Sequence, residues 1–188
     1  MVKITILILI LSGFLSCGSI RAKADTFDSK LSVILKQVNT KYSTDNRQKI
    51  INWINFEAKR NKIDPYLIAT TAYVESEFSQ NSQPCIGVMQ VYLPTYRELC
   101  KKNSYLKNYN PYNIHGNLVI GAKELALDYC HKNNKYSESN RLKYMWGRYN
   151  GCGISGDYTR KSLCVYLKLK NLSAEQLSSH LKKKELWR

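Results

Sequence analysis

At 188 residues, 44% of them hydrophobic, the chain is long enough for one domain with a core of ordinary size and carries no repeat or composition break that would mark a second. Its net charge of +15, from 29 Lys and Arg against 14 Asp and Glu, suits an anionic partner, although single lysines do no more than keep a surface solvated. Six cysteines and three histidines fall at no zinc-ligand spacing, which argues against a metal site, and no cofactor is implied.

Residues 1–15 hold one Lys and then an apolar run from Ile4 to Leu11 that Phe14 and Leu15 extend. The run is too short to span a bilayer comfortably and small residues follow it, so residues 1–24 read as an export signal, with Ala22-Lys23-Ala24 as the cleavage site. A lipidated Cys17 is the alternative, but Phe14 and Leu15 are bulky where that signal carries small residues. Removal of Lys3, Arg21 and Lys23 with the signal leaves 26 basic against 14 acidic residues, a net charge of +12. An exported protein so charged has an anionic polymer of the periplasm or cell envelope as a nearer partner than nucleic acid. Its remaining cysteines, Cys85, Cys100, Cys130, Cys152 and Cys164, allow one or two disulfides, with partners the sequence does not reveal.

Helical spacing of Leu31, Ile34, Leu35 and Val38 makes residues 25–45 an N-terminal helical segment. Asp45 then caps a helix whose stripe is Ile50, Ile51, Ile54 and Ala58, ending near Asn61. Asp64 is a side-chain acceptor ahead of Pro65, which fits the first helical position because its missing N–H had no intrahelical partner. Residues 79–84 are polar and turn-rich, and the chain returns at Gly87. Further helices are expected over 94–102, 117–131, 141–149 and 158–170, with Gly151-Cys152-Gly153 as a stop. Ser173 with Gln176 forms a capping box for a basic tail helix within 171–188. No stretch alternates long enough for a large sheet, so the fold class is mainly α.

Within the helix that Pro65 opens, Ile68, Thr71, Ala72 and Glu75 fall at i, i+3, i+4 and i+7, which puts Glu75 on the face expected to turn inward. Desolvation and the negative end of the helix dipole both disfavour a carboxylate there and raise its pKa. A carboxyl that keeps its proton near neutral pH is what a general acid needs to protonate a poor leaving group such as a glycosidic oxygen. Spacing alone leaves open the plainer reading, a solvated Glu on a fraying last turn.

Glu75-Ser76-Glu77-Phe78, then Gly87-Val88-Met89-Gln90-Val91 with Pro94-Thr95, resembles the active-site signature of the soluble-type lytic transglycosylases, which have a lysozyme-like fold with a glycan-binding cleft. Asn110-Pro111, Asn113-Ile114 and Asn117-Leu118-Val119-Ile120-Gly121 with Leu125 resemble that family's next block, and Tyr149-Asn150-Gly151 with Tyr158 and Arg160-Lys161 its last. The resemblance implies a catalytic domain over residues 46–170 acting on peptidoglycan glycan strands. Glu75 would act twice, protonating the oxygen that leaves N-acetylmuramic acid and then taking a proton from that sugar's 6-hydroxyl to close a 1,6-anhydro ring. It further implies substrate contacts from Ser76, Gln90 and Asn150, an apolar wall from Met89, and Tyr149 beside Glu75 as its orienter. Each of these five has an ordinary structural use as well, as core, helix end or backbone partner. Arg148 stands where the family has a small residue, and residues 79–84 form a shorter loop than in many of its members. Conventional glycosidases pair two carboxylates, and the sequence offers no motif for a second. A hydrolysing muramidase similar to goose-type lysozymes is the rival enzyme. A wall-binding component of an envelope-spanning secretion or conjugation machine is the rival without turnover.

Overall fold

The computed structural model describes residues 25–80, 85–130, 136–183 and 185–186; the expected export signal and Cys17 lie outside them. Among the described residues the fold is eight α-helices, a 3-10 turn at Ser104–Asn108 and one isolated antiparallel bridge, Ile86 to Val91. The helices are α1 (Phe27–Val38), α2 (Thr44–Asn61), α3 (Pro65–Ser76), α4 (Leu93–Lys102), α5 (Ile114–Cys130), α6 (Glu138–Tyr149), α7 (Asp157–Asn171) and α8 (Ala174–Lys182). None of the described helices is long and apolar enough to cross a membrane.

Helix α3 is the axis of the fold. Every residue from Leu67 to Tyr73 is buried, because α1, α2, α5 and α7 all pack on it. A helix covered on all sides has no single inward face, so the stripe ending at Glu75 does not decide where that side chain goes. Its position does: Glu75 is the last residue but one of α3, where the covering helices give way to a cleft. The start of α3 is fixed from both sides, since Asp64 Oδ1 accepts the Tyr66 N–H at 2.9 Å while Oδ2 accepts Tyr166 Oη at 3.0 Å and Lys170 Nζ at 2.8 Å. One capping carboxylate thereby ties α7 to the N-terminus of α3.

Side-chain caps move several helix starts from their expected places. Ser43, not Asp45, caps α2 by accepting the Asn46 N–H at 3.2 Å; Asp45 sits in the first turn, where its charge suits the helix dipole. Asn113 Oδ1 accepts the Gly116 N–H at 2.7 Å, so α5 begins at Ile114 rather than Asn117. Ser137 does the same for Asn140, which starts α6 at Glu138 rather than at the expected 141. The Ser173–Gln176 capping box forms as its spacing requires. Buried Lys30 Nζ closes the far end of α7 by donating to the carbonyls of Leu169 at 3.1 Å and Lys170 at 2.9 Å, so α1 packs onto the same core as the tail helix α8. Cys85, Cys100 and Cys152 carry free thiols, which rules out two disulfides among the five cysteines that follow residue 24.

Candidate active site

The cleft at the end of α3 is built by a loop that folds back over it. After Glu77 and Phe78, both at positive φ (+50° and +59°), the chain returns through Ile86 and Val91, which exchange two backbone hydrogen bonds of 3.0 and 2.8 Å. Phe78 is wholly buried and its carbonyl accepts Tyr42 Oη at 2.6 Å, so the α1–α2 connection pins the loop's departure. Gln90 also has positive φ (+49°), and left-handed backbone at non-glycine residues on both sides of the site is strain that the surrounding packing has to hold.

Asn117 holds the loop from below. Fully buried on α5, its Oδ1 accepts the Met89 N–H at 2.7 Å, and its Nδ2 donates to the carbonyls of Ile86 at 2.7 Å and Pro111 at 3.0 Å. Gly87 is required beside it: φ is +71°, and a Cβ there would meet Asn117 Cγ at 2.4 Å. Gly121 on α5 admits Met89 in the same way, since a Cβ would lie 2.7 Å from the Met89 Cβ.

These contacts fix what each expected site residue does. Glu75, Gln90, Tyr149 and Asn150 line one cavity of about 320 Å³. Ser76 turns to the protein, its hydroxyl donating to the Val88 carbonyl at 2.7 Å and so fastening the loop to α3. Met89 is fully buried against α5 and does not line that cavity; its carbonyl accepts Tyr149 Oη at 2.8 Å. The hydroxyl on Glu75 is therefore not that of Tyr149. Tyr158 of α7 donates to Glu75 Oε1 at 2.6 Å. Gln90 Nε2 donates to the Gly87 carbonyl at 2.7 Å, bracing its own strained turn.

Burial is the largest influence on Glu75 and pushes its pKa up; the Tyr158 hydrogen bond, the Asn150 side chain and the Lys161 charge pull it back down. Tyr158 is itself held well above the usual phenol range, first by burial and then by Glu75, so it stays a donor at any physiological pH. Replacing Tyr158 by Phe removes an influence that favours the carboxylate. The expected result is a Glu75 pKa raised further, so that the alkaline limb of any rate that needs the Glu75 proton moves up, with a rate about tenfold lower from the lost orientation. A pH–rate series on this variant checks it; an alkaline limb that stays put or moves down would contradict this account of Glu75.

Two charged groups also line the cavity: Arg148, which the sequence marked as a departure from the family pattern, and Glu124, which it did not mark. Glu124 of α5 has its pKa pushed up to about 8, by burial first and then by Asp128 and Glu75. The sequence signal for it was its spacing: Glu124 and Asp128 follow Gly121 at i+3 and i+7, on the side of α5 that the loop closes against. Arg148 lies on the same wall and pairs through Nε with Asp128 Oδ1 at 2.8 Å.

No curated protein sequence matches the chain. The transglycosylase SLT domain model matches residues 52–155, more than half of the chain and a stretch that includes Glu75, the Gly87 to Gln90 loop, Asn117 and Tyr149. With that match spanning the helices and the loop that build the cleft, the chain belongs to the transglycosylase SLT domain family.

Proposed function

We propose that the chain is an exported lytic transglycosylase that cuts the β-1,4 bond between N-acetylmuramic acid and N-acetylglucosamine in peptidoglycan, with Glu75 as acid and then base. Family membership supports activity of the lytic transglycosylase kind on peptidoglycan, outside the cytoplasm. The observation that carries the finer reading is Glu75 itself: a half-buried carboxyl lining an open cavity, pKa raised, with Tyr158 fixing one of its oxygens. Its proton goes to the oxygen leaving C1 of the muramic acid as the C1–O bond breaks. The resulting carboxylate then takes the proton of the 6-hydroxyl while O6 bonds to C1. No water is consumed, and the enzyme ends with its proton restored. The sugar's acetamido oxygen stabilises the cationic centre, as in substrate-assisted glycosidases.

A hydrolysing muramidase needs a second carboxylate to activate water or trap the sugar. Glu124 is the other carboxyl that lines the Glu75 cavity, and a group that keeps its proton to about pH 8 is a poor base or nucleophile at neutral pH. That favours the anhydro product. Export through residues 1–24 and the net charge of +12 that remains belong to the same reading, since the glycan strands and their stem peptides are anionic as a whole. Membership of a secretion or conjugation machine would require only that this cleft opens a passage for it. The test is digestion of purified peptidoglycan followed by mass spectrometry: fragments lighter by one water than hydrolytic products support the proposal, and hydrated ends overturn it in favour of the muramidase.

A further inference from the structure

The cleft does not end at Glu75. A second cavity of about 470 Å³ adjoins it, and the two share Thr95, Glu124 and Arg148 in their walls, so they form one groove that continues between α4 and α5. Glu124 stands at the junction, open to both parts. The groove's arginine is engaged elsewhere, because Arg148 Nε binds Asp128. Among the described residues, none makes a hydrogen bond or ion pair to the Glu124 carboxyl. A half-buried carboxyl with no partner among the described residues, facing an open groove, is placed to meet a ligand.

We propose that Glu124 is a second substrate-contacting residue of the cleft, donating a hydrogen bond to an acceptor oxygen of the sugar unit bound next to the one Glu75 attacks. This rests on the glycan-cleaving reading above and deepens it. The groups around Glu124 decide which way it hydrogen-bonds. Glu75 of α3 and Asp128 of α5 face it with carboxyl groups whose ionised forms oppose its own ionisation, Cys85 and Tyr149 are neutral neighbours, and Arg148 of α6 is paired; Glu98 and Lys102 of α4 line the far wall with opposite charges. Burial among these groups keeps the proton on Glu124 up to about pH 8. In that state it offers an O–H to the sugar, and it adds no negative charge to oppose the carboxylate that Glu75 becomes during the reaction. Below pH 8 it is therefore a donor and not a base.

The experiment is steady-state cleavage of soluble N-acetylated glycan fragments by the full chain between pH 5 and 9, comparing wild type with Glu124→Gln and Glu124→Leu. Leu removes the donor, and KM at pH 6 is expected to rise about tenfold, with kcat changed much less, as for loss of one substrate hydrogen bond. Gln restores an N–H donor and recovers most of that loss, and its KM no longer climbs through pH 8 as the wild-type KM does. Melting temperature gives an independent reading of the proton: Glu124 holds in the folded state a proton that the unfolded chain loses near pH 4.5, so wild-type stability falls relative to the Gln variant from pH 4.5 to about 8. Equal KM in wild type and the Leu variant overturns the proposal, as does a Gln variant that loses kcat like a missing base. If the Leu variant does not fold, the Gln variant's KM profile decides. If wild type cleaves nothing, the function proposed above fails, and the pH dependence of N-acetylglucosamine tetramer binding to wild type and the Gln variant then tests Glu124 alone.

Discussion

Glu75→Gln lowers the release of fragments from purified peptidoglycan by about 10²- to 10⁴-fold, the range that a positioned general acid contributes. Gln is close to isosteric and still accepts the Tyr158 hydroxyl through its amide oxygen, so the hydrogen bond of 2.6 Å in the wild type has a substitute and the fold is retained. What disappears is the transferable proton. On the proposed mechanism the active form is the protonated one, so the rate falls as pH rises through the raised Glu75 pKa, and burial places that fall above the ordinary carboxyl range. Removing a desolvated carboxyl whose ionisation is disfavoured leaves the Gln variant at least as stable as wild type at neutral pH. The measurement is fragment release against pH with a parallel melting curve. A Gln variant that releases fragments at a tenth of the wild-type rate or faster would remove Glu75 from the acid's role.

Asn117→Ala destabilises the protein by about 3–5 kcal/mol, which for a domain of this size is a melting temperature lower by roughly 10 °C. The substitution frees the Met89 N–H and the carbonyls of Ile86 and Pro111 in a fully buried place, and water has no open route to them. The cavity left by the side chain adds to the loss. Activity falls with stability here, because the same three hydrogen bonds shape the loop carrying Gln90 over Glu75. Thermal melting checks the first effect, and fragment release at a temperature well below the variant's midpoint checks the second. A melting temperature within a degree or two of wild type would mean that the loop is held by something other than Asn117.

The helix starts at Pro65 and Ala174 were legible because their determinants lie within three residues of each other: Asp64 ahead of Pro65, and Ser173 with Gln176. The caps at Ser43, Asn113 and Ser137 were equally local, but polar residues in a row competed for each role, and backbone geometry chose among them. Glu75 could be named as the candidate acid from its motif and its place near a helix end. Its surroundings could not be named from helical spacing, because α3 is covered on every side and the periodicity that usually marks an inward face carries no information there.

Sequence by itself determined the mainly helical architecture and the block order that marks the family, since hydrophobic spacing, caps and turn residues act over one or two helical turns. Tertiary structure alone decided that Tyr158 rather than Tyr149 reaches Glu75, that Met89 is core, and that Glu124 opens onto the cleft. Tyr158 and Glu75 are 83 positions apart, and which hydroxyl arrives depends on how α3, α6 and α7 cross. Crossings are set by the packing of whole helix faces, which no short stretch of residues encodes.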